Sequence, residues 1–249
     1  MGCRLLIIEN VTKHFNGLRV VSDVSLTLHE NGFTVLIGPS GCGKSTLFDL
    51  LMGVVPMETG RIRWHHAAVP DLNRLAAYMQ QSDLLLPWLG LVDNARLPAD
   101  IAGEPIKASS PRIQGLFDRL GLVGFENHLP SMVSGGMRQR CALARTLMFG
   151  RDIVLLDEPL SALDAITRRS LQEMLGLLQT DFNKTILMVT HDIEEALLLA
   201  DELLVLTPPP MQIQARMVLE HPKPRRMEDP DLLAIKNRVL AMLQEKRPS

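Results

Sequence analysis

Three groups of residues in this 249-residue chain have the types and spacing that phosphate chemistry requires. The first is Gly38-Pro39-Ser40-Gly41-Cys42-Gly43-Lys44-Ser45-Thr46, which satisfies G-x-x-x-x-G-K-[ST] after an apolar run and before a helix-forming stretch. Glycines let backbone N–H groups curl around phosphate oxygens, and the N-terminus of the next helix adds fractional positive charge there. On this reading Lys44 reaches the β- and γ-phosphates of ATP and Ser45 offers its hydroxyl to Mg²⁺, while Thr46 and nearby main-chain donors take the remaining oxygens. A plain Gly-rich turn is the alternative, but every constrained position is filled. Cys42, with no partner histidine in the motif, reads as a passive loop residue whose modification would still block nucleotide.

The second group is Asp157-Glu158, two carboxylates at the end of the apolar run Ile153 to Leu156. A parallel sheet opens its ligand crevice at that end of its strands, and the two acids divide the work there. Asp157 suits Mg²⁺, directly or through water, and Glu158 suits the water that attacks the γ-phosphorus. Third, the β-rich run Thr185 to Thr190 delivers His191 to the same edge before Asp192 starts a helix. An imidazole there can bridge a γ-phosphate oxygen and neighbouring backbone.

The elements that must position these groups follow from hydrophobic periodicity. Ser22 to His29 alternates, with Val24, Leu26 and Leu28 on one face, as in a half-exposed antiparallel sheet. Phe33 to Ile37 reads as a buried strand feeding the Gly38 turn, with a helix from Lys44. From Leu89 to Gly150 prolines punctuate helical patterns such as Ile113, Leu116, Phe117 and Leu120, an inserted helical lobe. Strand and helix then alternate through Ile153 to Leu156, Leu171 to Leu178, Thr185 to Val189 and Leu203 to Leu206, which implies a parallel sheet. Met211 to Glu220 adds a strand or two, Pro222 to Arg226 reads as a solvated connector rather than a lipid-headgroup contact, and Leu232, Ile235, Val239, Leu240 and Leu243 stripe a final amphipathic helix. The expected fold is α/β: a P-loop (RecA-like) core with a parallel sheet, an N-terminal antiparallel β subdomain and an inserted helical subdomain. Within one domain over 1–249, residues 1–88 and 151–220 form the core with its β subdomain, 89–150 the helical part, and 221–249 a C-terminal extension.

Composition narrows the function classes. A formal charge of −2, from 26 Lys+Arg against 28 Asp+Glu, supplies no field to hold a phosphate backbone, so nucleic acid is a poor partner. No apolar run approaches the roughly 18–20 residues of a spanning helix, and Met1-Gly2-Cys3-Arg4 lacks the features of a signal peptide. Cys3, Cys42 and Cys141 form neither a disulfide framework nor a metal pattern, which suits a reducing, cytoplasmic setting.

Val133-Ser134-Gly135-Gly136-Met137-Arg138-Gln139-Arg140 narrows the class further, because it resembles the signature of ABC transporter ATPases. Ser134 is a good N-cap, and Gly135 and Gly136 leave the following N–H groups open as a second anion site. The resemblance runs through nearly the whole chain, including Ser161-Ala162-Leu163-Asp164, similar to the family D-loop, and Phe15, placed like the adenine-stacking aromatic. Family spacing counted back from Leu85-Leu86-Pro87-Trp88 selects Gln81 as the glutamine that contacts Mg²⁺ and water, with Gln80 the alternative. Met137 departs from the usual glutamine. The Leu-Pro-Trp segment and Ser-Gly-Gly-Met-Arg-Gln-Arg look like the ATPases of nitrate, sulfonate, taurine and thiamine-precursor importers.

That resemblance implies an Mg²⁺-dependent ATPase on the cytoplasmic face of the inner membrane. Two copies close head to tail, with Ser134, Gly135, Gly136 and Asp164 of one facing the ATP of the other. It further implies two transmembrane permease subunits and, indirectly, an extracytoplasmic solute-binding protein. The alternatives are an exporter ATPase or a soluble ABC ATPase acting on nucleic acid or ribosomes.

Overall fold

The computed structural model describes residues 4–161 and 163–244. Met1, Gly2 and Cys3 of the N-terminal reading, Ala162 of the Ser161–Asp164 loop and the last five residues lie outside the described residues.

Two sheets share one core. The first is antiparallel and built from β1 (Arg4–Phe15), β2 (Leu18–His29), β4 (Thr59–Trp64) and β5 (Ala67–Val69), in the order β2-β1-β4-β5. Val24, Leu26 and Leu28 of β2 point inward while Asp23 and Ser25 face solvent, the half-buried pattern that period-2 alternation encodes. The second sheet takes β3 (Phe33–Ile37), β6 (Ala76–Met79), β7 (Ile153–Asp157), β8 (Thr185–Thr190), β9 (Glu202–Leu206) and β10 (Ile213–Val218), in the order β10-β9-β3-β8-β7-β6. Its five central and outer strands β6, β7, β8, β3 and β9 are parallel, and β10 closes the edge antiparallel to β9.

Strands β3, β7 and β8 are buried along their whole length because both faces are covered. Ile153 and Leu155 pack with the antiparallel sheet and α1 (Lys44–Leu51), whereas Val154 and Leu156 pack with the helices on the other side. Those helices are α2 (Leu91–Ile101), α3 (Ile106–Arg119) and α4 (Gly135–Met148), followed by α5 (Ala165–Thr180), α6 (Ile193–Leu199) and α7 (Pro230–Gln244). Ile113, Leu116, Phe117 and Leu120 form the buried face of α3, as their spacing predicts.

Two expectations for the C-terminal part need correction. Leu240 lies on the exposed side of α7, because the stripe that packs is Leu232, Ile235, Val239, Met242 and Leu243 and Leu240 is turned roughly 100° from Val239. The segment from Pro222 to Arg226 is solvated only in part: Pro222, Pro224 and Arg226 are exposed, but Lys223 and Arg225 turn inward. Lys223 donates to Asp201 Oδ1 (2.7 Å) and Gln179 Oε1 (2.8 Å), and its ammonium lies 5.2 Å from the centre of the Phe33 ring. Arg225 donates to the carbonyls of Leu197, Leu219 and His221 at 2.8–2.9 Å. These cations serve as internal staples across α6 and β9, which charge counting along the chain could not distinguish from solvated ones.

Candidate functional site

Parallel pairing brings the chemical groups together. Ile37 pairs with Thr190, Asp157 with Val189 and Met79 with Leu156, so β3, β8, β7 and β6 end at one edge. The residues just beyond those ends are Gly38, His191, Glu158 and Gln80-Gln81. No pair of them is close in sequence; the register alone makes them neighbours.

The phosphate loop runs from Ile37 into α1. Gly43 has φ +114°, and a Cβ on it would sit 3.2 Å from Val20 Cγ1, so glycine is required for both conformation and space. α1 has no side-chain cap and no acidic residue in its first turn. Its leading N–H groups are therefore left for an anion, and the helix dipole favours one. Lys44, buried, donates to Gly38 O (2.9 Å) and Pro39 O (3.0 Å) and meets Glu158 Oε1 at 3.3 Å. Cys42 is fully buried, and burial raises its thiol pKa, so the loop thiol is sheltered and protonated rather than nucleophilic.

Glu158 is the meeting point of the site. Its carboxylate takes Lys44 on one oxygen, and on the other His191 Nδ1 at 2.9 Å and Gln81 Nε2 at 3.4 Å. The residue sits at φ +46°, an uncommon conformation for a side-chain-bearing residue, held by its N–H to Val189 O and by Ser161 N and Oγ to its carbonyl. Gln81, not Gln80, makes the contact with Glu158.

Asp157 is buried beneath this group. Tyr78 of β6 donates to its Oδ2 at 3.2 Å, while Oδ1 is buried without any hydrogen-bond partner. Burial pushes the Asp157 pKa up, against the hydrogen bonds from Ser45 and Tyr78, and burial together with the Asp157 charge pushes the Tyr78 phenol up. The Asp157 carboxylate, with Oδ1 unpartnered and Ser45 among the groups acting on it, is part of a hard-donor set that a divalent cation satisfies, so these residues fit Mg²⁺. Tyr78 carries no local sequence signal for this role, since its proximity to Asp157 arises from the pairing of β6 with β7.

The remaining predicted residues lie apart from this cluster. Phe15 ends β1 half-exposed, with the Lys13 ammonium 5.3 Å from its ring centre. Ser134 caps α4, accepting from Met137 N at 3.3 Å, and is exposed. Met137 is turned partly into the helical core. Asp164 caps α5 through Ile166 N and Thr167 N, both 3.1 Å, and the Thr167 hydroxyl together with those amides lowers its pKa. Gly136 is closely packed: a Cβ there would lie 2.0 Å from Thr167 Cγ2. Its bareness lets α4 approach α5. Gly136→Ala is expected to cost about 1–3 kcal/mol of unfolding free energy in urea titration, and adding Thr167→Ala should recover most of it.

One tie escaped sequence reasoning. Gln139 Nε2 donates to Gln81 O at 3.3 Å, Arg138 Nε pairs with Asp83 Oδ2 at 3.0 Å, and Arg145 Nη1 donates to Leu84 O at 2.8 Å. The segment after Gln81 is therefore fastened to α4, and Asn94 of α2, fully buried, holds Leu86, Leu89 and Gly90. The signal lies in the polar residues at turn spacing on α4, which are meaningless until the partner loop is known.

A phosphate loop at the head of α1, with an acid pair and a histidine at the same edge of a parallel sheet, defines a P-loop nucleoside triphosphatase. The ABC transporter family model matches residues 21–161. The chain is 36% identical over 251 residues to the taurine import ATP-binding protein TauB of Yersinia pestis bv. Antiqua (strain Antiqua), covering 98% of both. It is 35% identical to the aliphatic sulfonates import ATP-binding protein SsuB 2 of Burkholderia cenocepacia (strain HI2424), over 96% of this chain and 87% of that one. A solved dimeric structure of MJ0796, a bacterial ABC transporter cassette, superimposes with TM-score 0.77 at 26% identity, over 87% of this chain and all of that one. A second MJ0796 structure, a post-hydrolysis state bound to ADP and Pi, gives 0.76. The chain belongs to the ABC transporter family, as one of its ATP-hydrolysing cassettes.

Proposed function

We propose that the chain is the ATPase subunit of an importer for a small solute, acting as a pair of copies beneath two transmembrane permease subunits at the cytoplasmic face of the membrane. The observation that carries the hydrolytic part is the contact of Glu158 with Lys44, His191 and Gln81 beside an open helix N-terminus. The importer part rests on relatives named for taurine and aliphatic sulfonate import, so a sulfonate-like solute is the proposed cargo, supplied by an extracytoplasmic binding protein. Among the described residues no helix is long and apolar enough to cross a membrane, which leaves translocation to partner chains.

In this mechanism Lys44 leaves the Gly38 and Pro39 carbonyls for the β- and γ-phosphates, and the α1 N–H groups take the remaining charge. Phe15 stacks on the adenine. Glu158, released from Lys44, accepts a proton from the attacking water, and His191 and Gln81 orient the γ-phosphate and that water. Ser45, Asp157 and Gln81 are the residues that would hold Mg²⁺, which when bound neutralises phosphate charge in the transition state. Ser134, Gly135, Gly136 and Asp164 face the nucleotide of the second copy, so closure needs ATP and its loss reopens the pair. The helical part, 89–150, carries the Gln81-to-Trp88 segment through its ties to α4, and the exposed Leu84 and Trp88 face the permease.

A pull-down of the tagged chain from detergent-solubilised native membranes, followed by mass spectrometry, tests the assignment. Recovery of a polytopic permease is expected. Ribosomal or DNA-bound proteins without a membrane subunit would overturn the transport role and leave the ATPase chemistry standing.

A further inference from the structure

Glu195 is a buried carboxyl that the mechanism above does not use. It lies in the first turn of α6, 5% exposed, and its Oε2 accepts the Thr190 hydroxyl proton at 2.7 Å. The same Thr190 oxygen accepts the N–H of Asp192 at 3.1 Å, and the Thr190 carbonyl accepts the N–H of Gly38 at 3.4 Å. Thr190 and Asp192 flank His191. In an ordinary capping box an acid at this helical position would bind the amide of the capping residue directly. Here Glu195 reaches past that amide to the threonine hydroxyl, which itself takes the amide, so the bonds enclose the backbone of His191.

We propose that Glu195 is a positioning residue for His191: through the Thr190 hydroxyl it fixes the backbone on both sides of the histidine and holds the imidazole against Glu158. The inference rests on the assignment of His191 to the γ-phosphate. The carboxyl does not contact nucleotide and acts only through Thr190.

The surroundings give the latch a pH dependence. Burial pushes the Glu195 carboxyl up to about 7, Asp192 adds to that, and the Thr190 hydrogen bond, Arg168 of α5 and His191 oppose it. β3 and β8 contribute no ionisable side chain, and the α7 cation nearest α6, Lys236, pairs with Glu194 at 2.6 Å instead. Arg168 donates from Nη2 to Leu163 O at 3.1 Å, lies 3.7 Å from Asp192 Oδ2 and keeps its Nε buried and unpartnered. Burial thus favours the protonated carboxyl in the closed site, although the Thr190 bond favours the ionised one. As pH rises through about 7, a negative charge appears in a buried site beside Asp192; the carboxylate accepts the Thr190 hydroxyl more strongly, but the lost hydration outweighs that bond and favours withdrawal of the side chain from the site.

The test uses the full chain in Thr190→Val, Thr190→Ser and Glu195→Gln forms, with ATP turnover and the imidazole proton resonance of His191 as paired measurements. Thr190→Val should lower kcat roughly tenfold, within the loss that a misplaced catalytic group produces, while leaving KM for ATP nearly unchanged. The His191 resonance should move in the same variant, and Thr190→Ser should restore both. Glu195→Gln keeps an acceptor for the hydroxyl but has no proton to lose. The ratio of wild-type to Glu195→Gln turnover should therefore fall as pH rises through about 7. An unmoved His191 resonance in Thr190→Val, a loss confined to KM, or a flat ratio across that pH range each overturns the latch. If Thr190→Val does not fold, the pH ratio still decides. Normal turnover in His191→Ala would instead sink the role of the histidine, a separate failure that the resonance measurement does not share.

Discussion

Glu158→Gln is expected to bind ATP with nearly unchanged affinity, to lose at least about 100-fold in turnover, and to accumulate as a nucleotide-bound dimer on light scattering. The substitution is isosteric. The amide can still accept from His191 Nδ1 or Gln81, now at 2.9 and 3.4 Å from the carboxylate, so the neighbourhood keeps its shape. What disappears is the negative charge that can take a proton from water. Lys44 loses an ionic partner at 3.3 Å but keeps the two carbonyls, so the fold should lose little stability. With cleavage stopped, the γ-phosphate stays in place and the closed pair has no route to reopen. Normal hydrolysis by this variant would mean that another group activates the water.

Lys44→Ala is expected to weaken ATP binding by about 100-fold or more, measured by calorimetry, with a folded protein by circular dichroism. The ammonium makes charge-assisted hydrogen bonds worth about 1.5–3 kcal/mol each, and two such bonds to phosphate oxygens account for that loss. The ammonium contacts Gly38 O, Pro39 O and Glu158, so it is held at the loop, where phosphate oxygens would replace those acceptors. Lys44→Arg should not rescue binding, because a planar guanidinium does not fit a pocket in which the lysine is 5% exposed. Unchanged affinity in Lys44→Ala would remove the phosphate-loop assignment.

The two variants separate binding from chemistry, and the residues behind them were legible to different degrees. Lys44, Asp157 and Glu158 stand in local patterns whose flanking strands are continuous apolar runs, so type and place could be read together. Gln81 required family spacing to prefer it over Gln80, and the structure supplies a physical ground, its bond to Glu158. Tyr78, Gln139 and Glu195 were invisible, each because its partner lies far along the chain or is a hydroxyl or carbonyl with no pattern of its own. The basic segment at Lys223 and Arg225 misled for the opposite reason: a charge run looks solvated until the carbonyls it staples are known.

By itself the sequence determined the alternation of strand and helix, the phosphate loop, the acid pair and the signature, because each is written in neighbouring residues or in a fixed period. Tertiary structure decided which of them meet. The order β10-β9-β3-β8-β7-β6 brings the ends of β3, β6, β7 and β8 to one edge, and strand order depends on long-range pairing that no local pattern encodes. It also decided what fills the remaining space: the glycine at position 136 that admits Thr167, the orphaned oxygen of Asp157, and the threonine hydroxyl that links Glu195 to His191. Those features depend on distances of a few ångströms between residues distant in sequence or hidden from solvent, and packing alone sets such distances.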